Sequence, residues 1–253
     1  MSSQELIRAR PWTAGGLLAA TVGGWLLLLW GAIDMGSPVM QLTMPRTAWT
    51  IDNTVAVFAM WTVMMGAMML PSAAPMMLSF AALNRKREEG ARTLLFGVAY
   101  VALWASFGGM ATLVQWSLQS FGLITPMIVS TSAMLSAALL LIAGVFQFSP
   151  LKRACLRACR SPLGFLMSDW REGLTGAWRM GIRHGLYCLG CCWALMLLLF
   201  VGGAMNLPWI AALAGLVAIE KLAPRGEVVA RVLGGILIGA GVVRMAWASL
   251  AGA

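Results

Sequence analysis

The chain has 253 residues, of which 60% are hydrophobic and 11% charged, with a net charge of +9 and a mean hydropathy of +0.82. That balance excludes an ordinary soluble domain, in which about a quarter of residues are charged. It also excludes a nucleic-acid binder despite a pI near 10.2, because the basic residues are spread over four separate segments flanking apolar runs.

In chain order, residues 13–33, 55–80, 93–118 and 126–148 are each nearly charge-free and long enough to cross a hydrocarbon layer about 30 Å thick. The first run follows two arginines without a cleavage pattern, so it reads as a retained helix. A later run from Cys188 to Ile219 is broken by G-G-A-M-N-L-P, where Asn206 and Pro208 favour a turn. Helices are therefore predicted over 185–204, 207–221 and 229–249. The expectation is an all-α, polytopic transmembrane bundle of about seven spans, with six as the alternative count, forming one integral membrane domain over residues 1–253.

Orientation follows from the lysines and arginines. With a cytoplasmic N-terminus, Arg8, Arg10, Arg85, Lys86, Arg87 and Arg92 lie inside, as do the seven basic residues between the fourth and fifth helices and Lys221, Arg225 and Arg231. Only Arg46 and Arg244 fall elsewhere, as the positive-inside rule requires. Residues 149–183 mix arginine with Leu, Phe, Met and Trp, the pattern of amphipathic helices lying on the cytoplasmic face. Asp34, Asp52 and Asn53 are expected outside and solvated, and Glu220 with Lys221 at a helix boundary, although Glu220 sits deep enough to be a functional candidate. Trp61 and Trp193 stand within ligand-bearing stretches.

Three groups of soft donors stand out. In H-G-L-Y-C-L-G-C-C, a helix turning about 100° per residue puts His184, Cys188, Cys191 and Cys192 on one face. Imidazole and thiolate are ligands for Cu(I), zinc or iron. Cys155 and Cys159 stand at i, i+4 among arginines, which favour the thiolate. The second helix carries Met60, Met64, Met65, Met68, Met69, Met76 and Met77, with Pro71 and Pro75 expected to kink it. Thioethers suit Cu(I) and discriminate against hard ions. If the second and fifth helices touch, Met60 and Met64 fall at the outer level of Met205. Met68 and Met69 then approach Met196, and Met76 and Met77 approach Cys191 and Cys192, so that thiolates lie at the cytoplasmic end.

The motifs M-W-x-V-M-M-x-A-M-M-L-P-S-x-x-P-M, L-K-x-x-C-L-x-x-C-R-x-P and R-M-G-x-x-H-G-x-Y-C-x-G-C-C-W-x-L-M, followed by G-A-M-N-L-x-W and E-K, carry a resemblance over roughly residues 55–222. The chain resembles a bacterial family of predicted metal-binding integral membrane proteins. That resemblance implies a metal-linked role. Met64, Met65, Met68, Met69, Cys155, Cys159, His184, Cys188, Cys191, Cys192, Met196, Met205 and Asn206 stand in its motifs.

The leading expectation is an inner-membrane protein that binds a soft metal, Cu(I) before zinc, and transports it or delivers it to a metallochaperone or metalloenzyme subunit. No nucleotide-binding motif is present to drive transport. A thiol-disulfide oxidoreductase using the C-x-x-C pair Cys188 and Cys191 is the alternative. Haem handling through His184 and a structural subunit of a membrane complex stand behind it.

Overall fold

The computed structural model describes residues 10–44, 49–84, 89–125 and 127–251. Of the residues in the charge argument, Arg8, Arg46, Arg85, Lys86 and Arg87 lie outside these. Among the described residues the chain is all-helical apart from one isolated antiparallel bridge, Ile124 to Ser130.

Helix α1 (Pro11–Ile33) begins at a proline, whose missing N–H and fixed φ suit a first turn. None of its residues is buried; it lies along α3 (Ile51–Leu83), with Gly24 against Ala67. The short α2 (Pro38–Thr43) starts where the Ser37 hydroxyl accepts the Met40 N–H. Helix α3 is the hub. Thr50 caps it by accepting from the Asn53 N–H, and it packs on α1, α2, α4 (Glu89–Ser120) and α10 (Leu207–Leu222). The helix continues unbroken through Pro71 and Pro75, and the Ser72 and Ser79 hydroxyls donate back to the carbonyls of Met69 and Pro75.

Helices α4 and α8 (Gly173–Met196) form one of the two closest pairs. Glycine permits the approach: Gly181 lies on the Phe96 carbonyl and Gly185 on Leu103. The other pair is α5 (Ala133–Phe146) with α11 (Gly226–Ala251). A Cβ at Gly144 would stand 2.9 Å from the Gly234 carbonyl oxygen and 2.7 Å from Ile238, so only glycine fits there. Between the pairs lie α6 (Pro150–Arg160) and α7 (Pro162–Asp169), while α9 (Leu199–Gly202) follows α8. Gly203, at a φ of +95°, turns the chain into α10, which Asn206 caps by accepting from the Trp209 N–H.

Among the described residues the expected seven spans are corrected to five helices long and apolar enough to cross a membrane, or six if α5 and α6, bent by 65°, are taken as one. Helix α5 has 14 residues and α10 has 16, rises of about 21 and 24 Å against a hydrocarbon layer of about 30 Å. The 149–183 segment is also redrawn. Its last part belongs to α8, which starts at Gly173 and not near residue 185. Arg183, expected in a surface segment, lies on that helix, pairs with Asp169 at 2.5 Å and lies over the Tyr187 ring. Helix α6 buries Lys152, Cys155 and Leu156. Asp34 and Asp52 are exposed as expected, but Asn53 is buried and its amide donates to the carbonyls of Leu42 and Met44. Unpaired backbone acceptors at the end of α2 explain why a polar side chain is drawn inward there.

Candidate metal centre

Helices α3, α4, α6, α8 and α10 converge around Cys188, Cys191 and Cys192, which stand in the second half of α8 and are almost fully buried. On one helical face, the thiols of Cys191 and Cys192 both donate back to the Cys188 carbonyl, at 3.0 and 2.9 Å. Each is then met by a sulfur from another helix. Cys159 of α6 stands 4.0 Å from Cys191, and Met69 of α3 stands 3.9 Å from Cys192. Two sulfurs bound to one ion at about 2.3 Å and about 120° stand about 4 Å apart. All five cysteines are free. Among the described residues no three of His, Cys, Asp and Glu gather as a finished cation site, so the centre is a set of sulfur pairs.

Cys188 has polar company. The Lys221 ammonium of α10 stands 2.9 Å from its Sγ and donates to the Ser72 hydroxyl at 3.2 Å. The Tyr100 hydroxyl of α4 lies 3.0 Å from the same sulfur and 3.4 Å from the Met69 carbonyl. Beside Lys221, Glu220 faces the other way and binds Lys152 at 2.5 Å and the Gln147 amide at 2.9 Å, all three buried. Tyr100 and Ser72 were not singled out from the sequence, and Lys221 only as a boundary residue. An adjacent E-K at the end of a short apolar helix, and one of only two tyrosines in the chain, were the available signals. The boundary reading of Glu220 and Lys221 is corrected, since both are buried within 5% exposure.

His184, one turn before Cys188, is buried among Phe96, Tyr100 and Phe165, with ring centroids 5.5 to 6.0 Å away. Neither ring nitrogen has a hydrogen-bond partner in the structure, so the unprotonated nitrogen of the neutral ring has its one lone pair unused. Cys155 packs its sulfur against Gly190 of α8, where a Cβ would stand 2.7 Å away; the sulfur-to-sulfur contact with α8 is made by Cys159. Met65, Met68, Met76, Met77 and Met196 are buried in the core. Met60, Met64 and Met205 line a separate cavity. Trp61 donates to Gln115 at 2.7 Å, and Trp193 stacks edge-on with Phe146.

The expected depths shift accordingly. Cys192 meets Met69 and not Met76 or Met77, because α8 begins at Gly173 and carries the cysteines further along the bundle than a start near residue 185 implied. The thiols lie in the second half of their helix, well beyond its start at Gly173.

Helices long and apolar enough to cross a membrane surround an apolar core that buries thiols, thioethers and the lysines 152 and 221. The copper chaperone family PpoB2 has a model that matches residues 58–244, a stretch containing every cysteine, His184 and Lys221. The chain belongs to that family, and its function is copper-related. No curated protein and no solved structure matches the chain.

Proposed function

We propose that the chain is a single integral membrane domain that holds Cu(I) at Cys159, Cys191, Cys192 and Met69, with Cys188 and His184 as further donors, and passes it to a metallochaperone or metalloenzyme subunit. The observation that carries this reading is the meeting of sulfurs from three helices, two of them 123 positions apart, at the spacing a shared ion imposes. A neutral thioether in the set favours a soft monovalent ion over zinc.

A membrane setting is supported by the outward faces of α1 and α11, where Leu18, Leu26, Ile33, Ile236, Val243 and Leu250 are exposed. The segments after α5 and after α10 share one end of the bundle, since Arg160 donates to the carbonyls of Ala223 and Pro224. Their basic residues make that end cytoplasmic in a bacterial inner membrane. Dithiol exchange with a protein substrate is not favoured, because Cys188 and Cys191 are each 1% exposed.

The test is metal analysis of protein purified in detergent and loaded anaerobically with Cu(I) against a chromophoric chelator. Wild type retains copper in a fixed ratio to protein; a variant with Cys159, Cys188, Cys191 and Cys192 changed to serine retains fewer ions per chain. Equal copper in both would refute the site.

A further inference from the structure

Away from the thiols, α1, α2, α3, the turn before α10 and its first residues line a half-open cavity of about 260 Å³. Five of the chain's nineteen methionines face it: Met35 and Met40 around α2, Met60 and Met64 on α3, and Met205. Met35 and Met40 precede the residues that the family model matches. Among the described residues the rest of the wall is apolar apart from Thr43, and none of those lining it is charged. Methionines that serve as packing fill their space; these five surround one.

The local structure holds Met40 in place. Its N–H is accepted by Ser37, its carbonyl receives the Thr43 hydroxyl at 2.7 Å, and the buried Asn53 amide ties down the carbonyls of Leu42 and Met44. Gly31 of α1 supplies the room: a Cβ there would stand 2.7 Å from the Met40 sulfur. Any larger residue at position 31 pushes that thioether away.

The wall selects its occupant. Among the described lining residues an anion finds no positive charge, and a hard cation finds no carboxylate. A divalent ion would keep two charges uncompensated in an apolar space, whereas thioethers are soft, neutral donors for a monovalent ion. We infer that this cavity is a second soft-ion site, separate from the thiol cluster, binding Cu(I) or Ag(I) by thioethers alone. The ion keeps its charge and oxidation state and only exchanges ligands on entry. Met64 and Met69 are five residues apart on α3, about 7.5 Å along its axis, with Met65 and Met68 buried between them. The cavity is thus placed to load the thiol cluster; that placement, unlike the binding itself, rests on the copper reading above.

The test uses the full chain in detergent with all five cysteines changed to serine, titrated with silver nitrate by calorimetry, and with native mass spectrometry for stoichiometry. Ag(I) binding persists in this background. Met40→Leu with Met60→Leu, which conserves volume, weakens it on the order of tenfold or more, and Gly31→Ala, which touches no donor, weakens it severalfold. No Ag(I) binding in the serine background, no change in the methionine variants, or a copurified lipid chain filling the cavity in place of Ag(I) would each overturn the inference. Should the serine variant fail to fold, silver stoichiometry of wild type against Met40→Leu/Met60→Leu decides: one ion lost supports the site, none lost refutes it. The two readings fail separately. Silver bound only through cysteines removes the cavity site and leaves the thiol centre, and silver bound only in the serine-insensitive site does the reverse.

Discussion

Lys221 is the residue whose role differs most from its appearance in the sequence. A lysine one position before the end of α10 reads as a helix end reaching for water, yet its ammonium lies 2.9 Å from the Cys188 sulfur. Two thiolates binding one monovalent ion carry a net negative charge, which is costly to bury unless a cation stands beside it. Lys221→Met removes that cation while keeping most of the stem. The expected result is weaker Cu(I) retention, on the order of tenfold, which corresponds to about 1.4 kcal/mol, read by chelator competition. Tyr100→Phe removes one neutral contact to the same sulfur and costs less, about 1 kcal/mol. Unchanged affinity in Lys221→Met would show that the ammonium serves only the fold. The donors themselves were legible because Cys and His are scarce in so apolar a chain. Lys221, Tyr100 and Ser72 were not, because their proximity to Cys188 arises only when α3, α4 and α10 close around α8.

At the scale of elements, the long apolar helices were visible from composition, while their limits were not. Hydropathy registers the surroundings of a residue and not its backbone hydrogen bonds, so Arg179 and Arg183 concealed that α8 extends back to Gly173. The same blindness made the 16-residue α10 look like a span. Helix α10 is instead held by buried polar groups, Lys221 on one side and Glu220 on the other. Glu220→Gln leaves the Lys152 ammonium buried without its anion, and removal of one partner of a buried pair costs about 3–5 kcal/mol. Thermal unfolding in detergent should show a large loss for Glu220→Gln and a smaller one for Glu220→Gln combined with Lys152→Met. A double variant as unstable as the sum of the singles would mean that the two groups do not act as a pair.

For the whole molecule, the fold class and the convergence of basic segments follow from the distribution of apolar and charged residues alone, whereas the pairing of helices does not. The pairing depends on glycines 144, 181, 185 and 234, which look in the sequence like any of the 28 the chain contains. The hydrogen bonds from Arg160 to Ala223 and Pro224 place the segments after α5 and after α10 at one end, and α11 then leads the chain to the other. Single cysteines introduced into a cysteine-free background at Leu163 and at Arg225 should therefore be shielded from an impermeant thiol reagent in intact cells. One at Leu250 should react. Labelling of all three from the same side would rule out the proposed orientation.

The contact between Met69 and Cys192 joins positions 123 residues apart, which bears on the birth of the protein. A polypeptide emerging from the ribosome presents the thioethers of α3 long before α8 is made. On the copper reading, an unfinished or truncated product has no thiols in α8 with which to sequester the toxic ion, and tight capture switches on only after synthesis has passed the point where the last partner enters the bilayer.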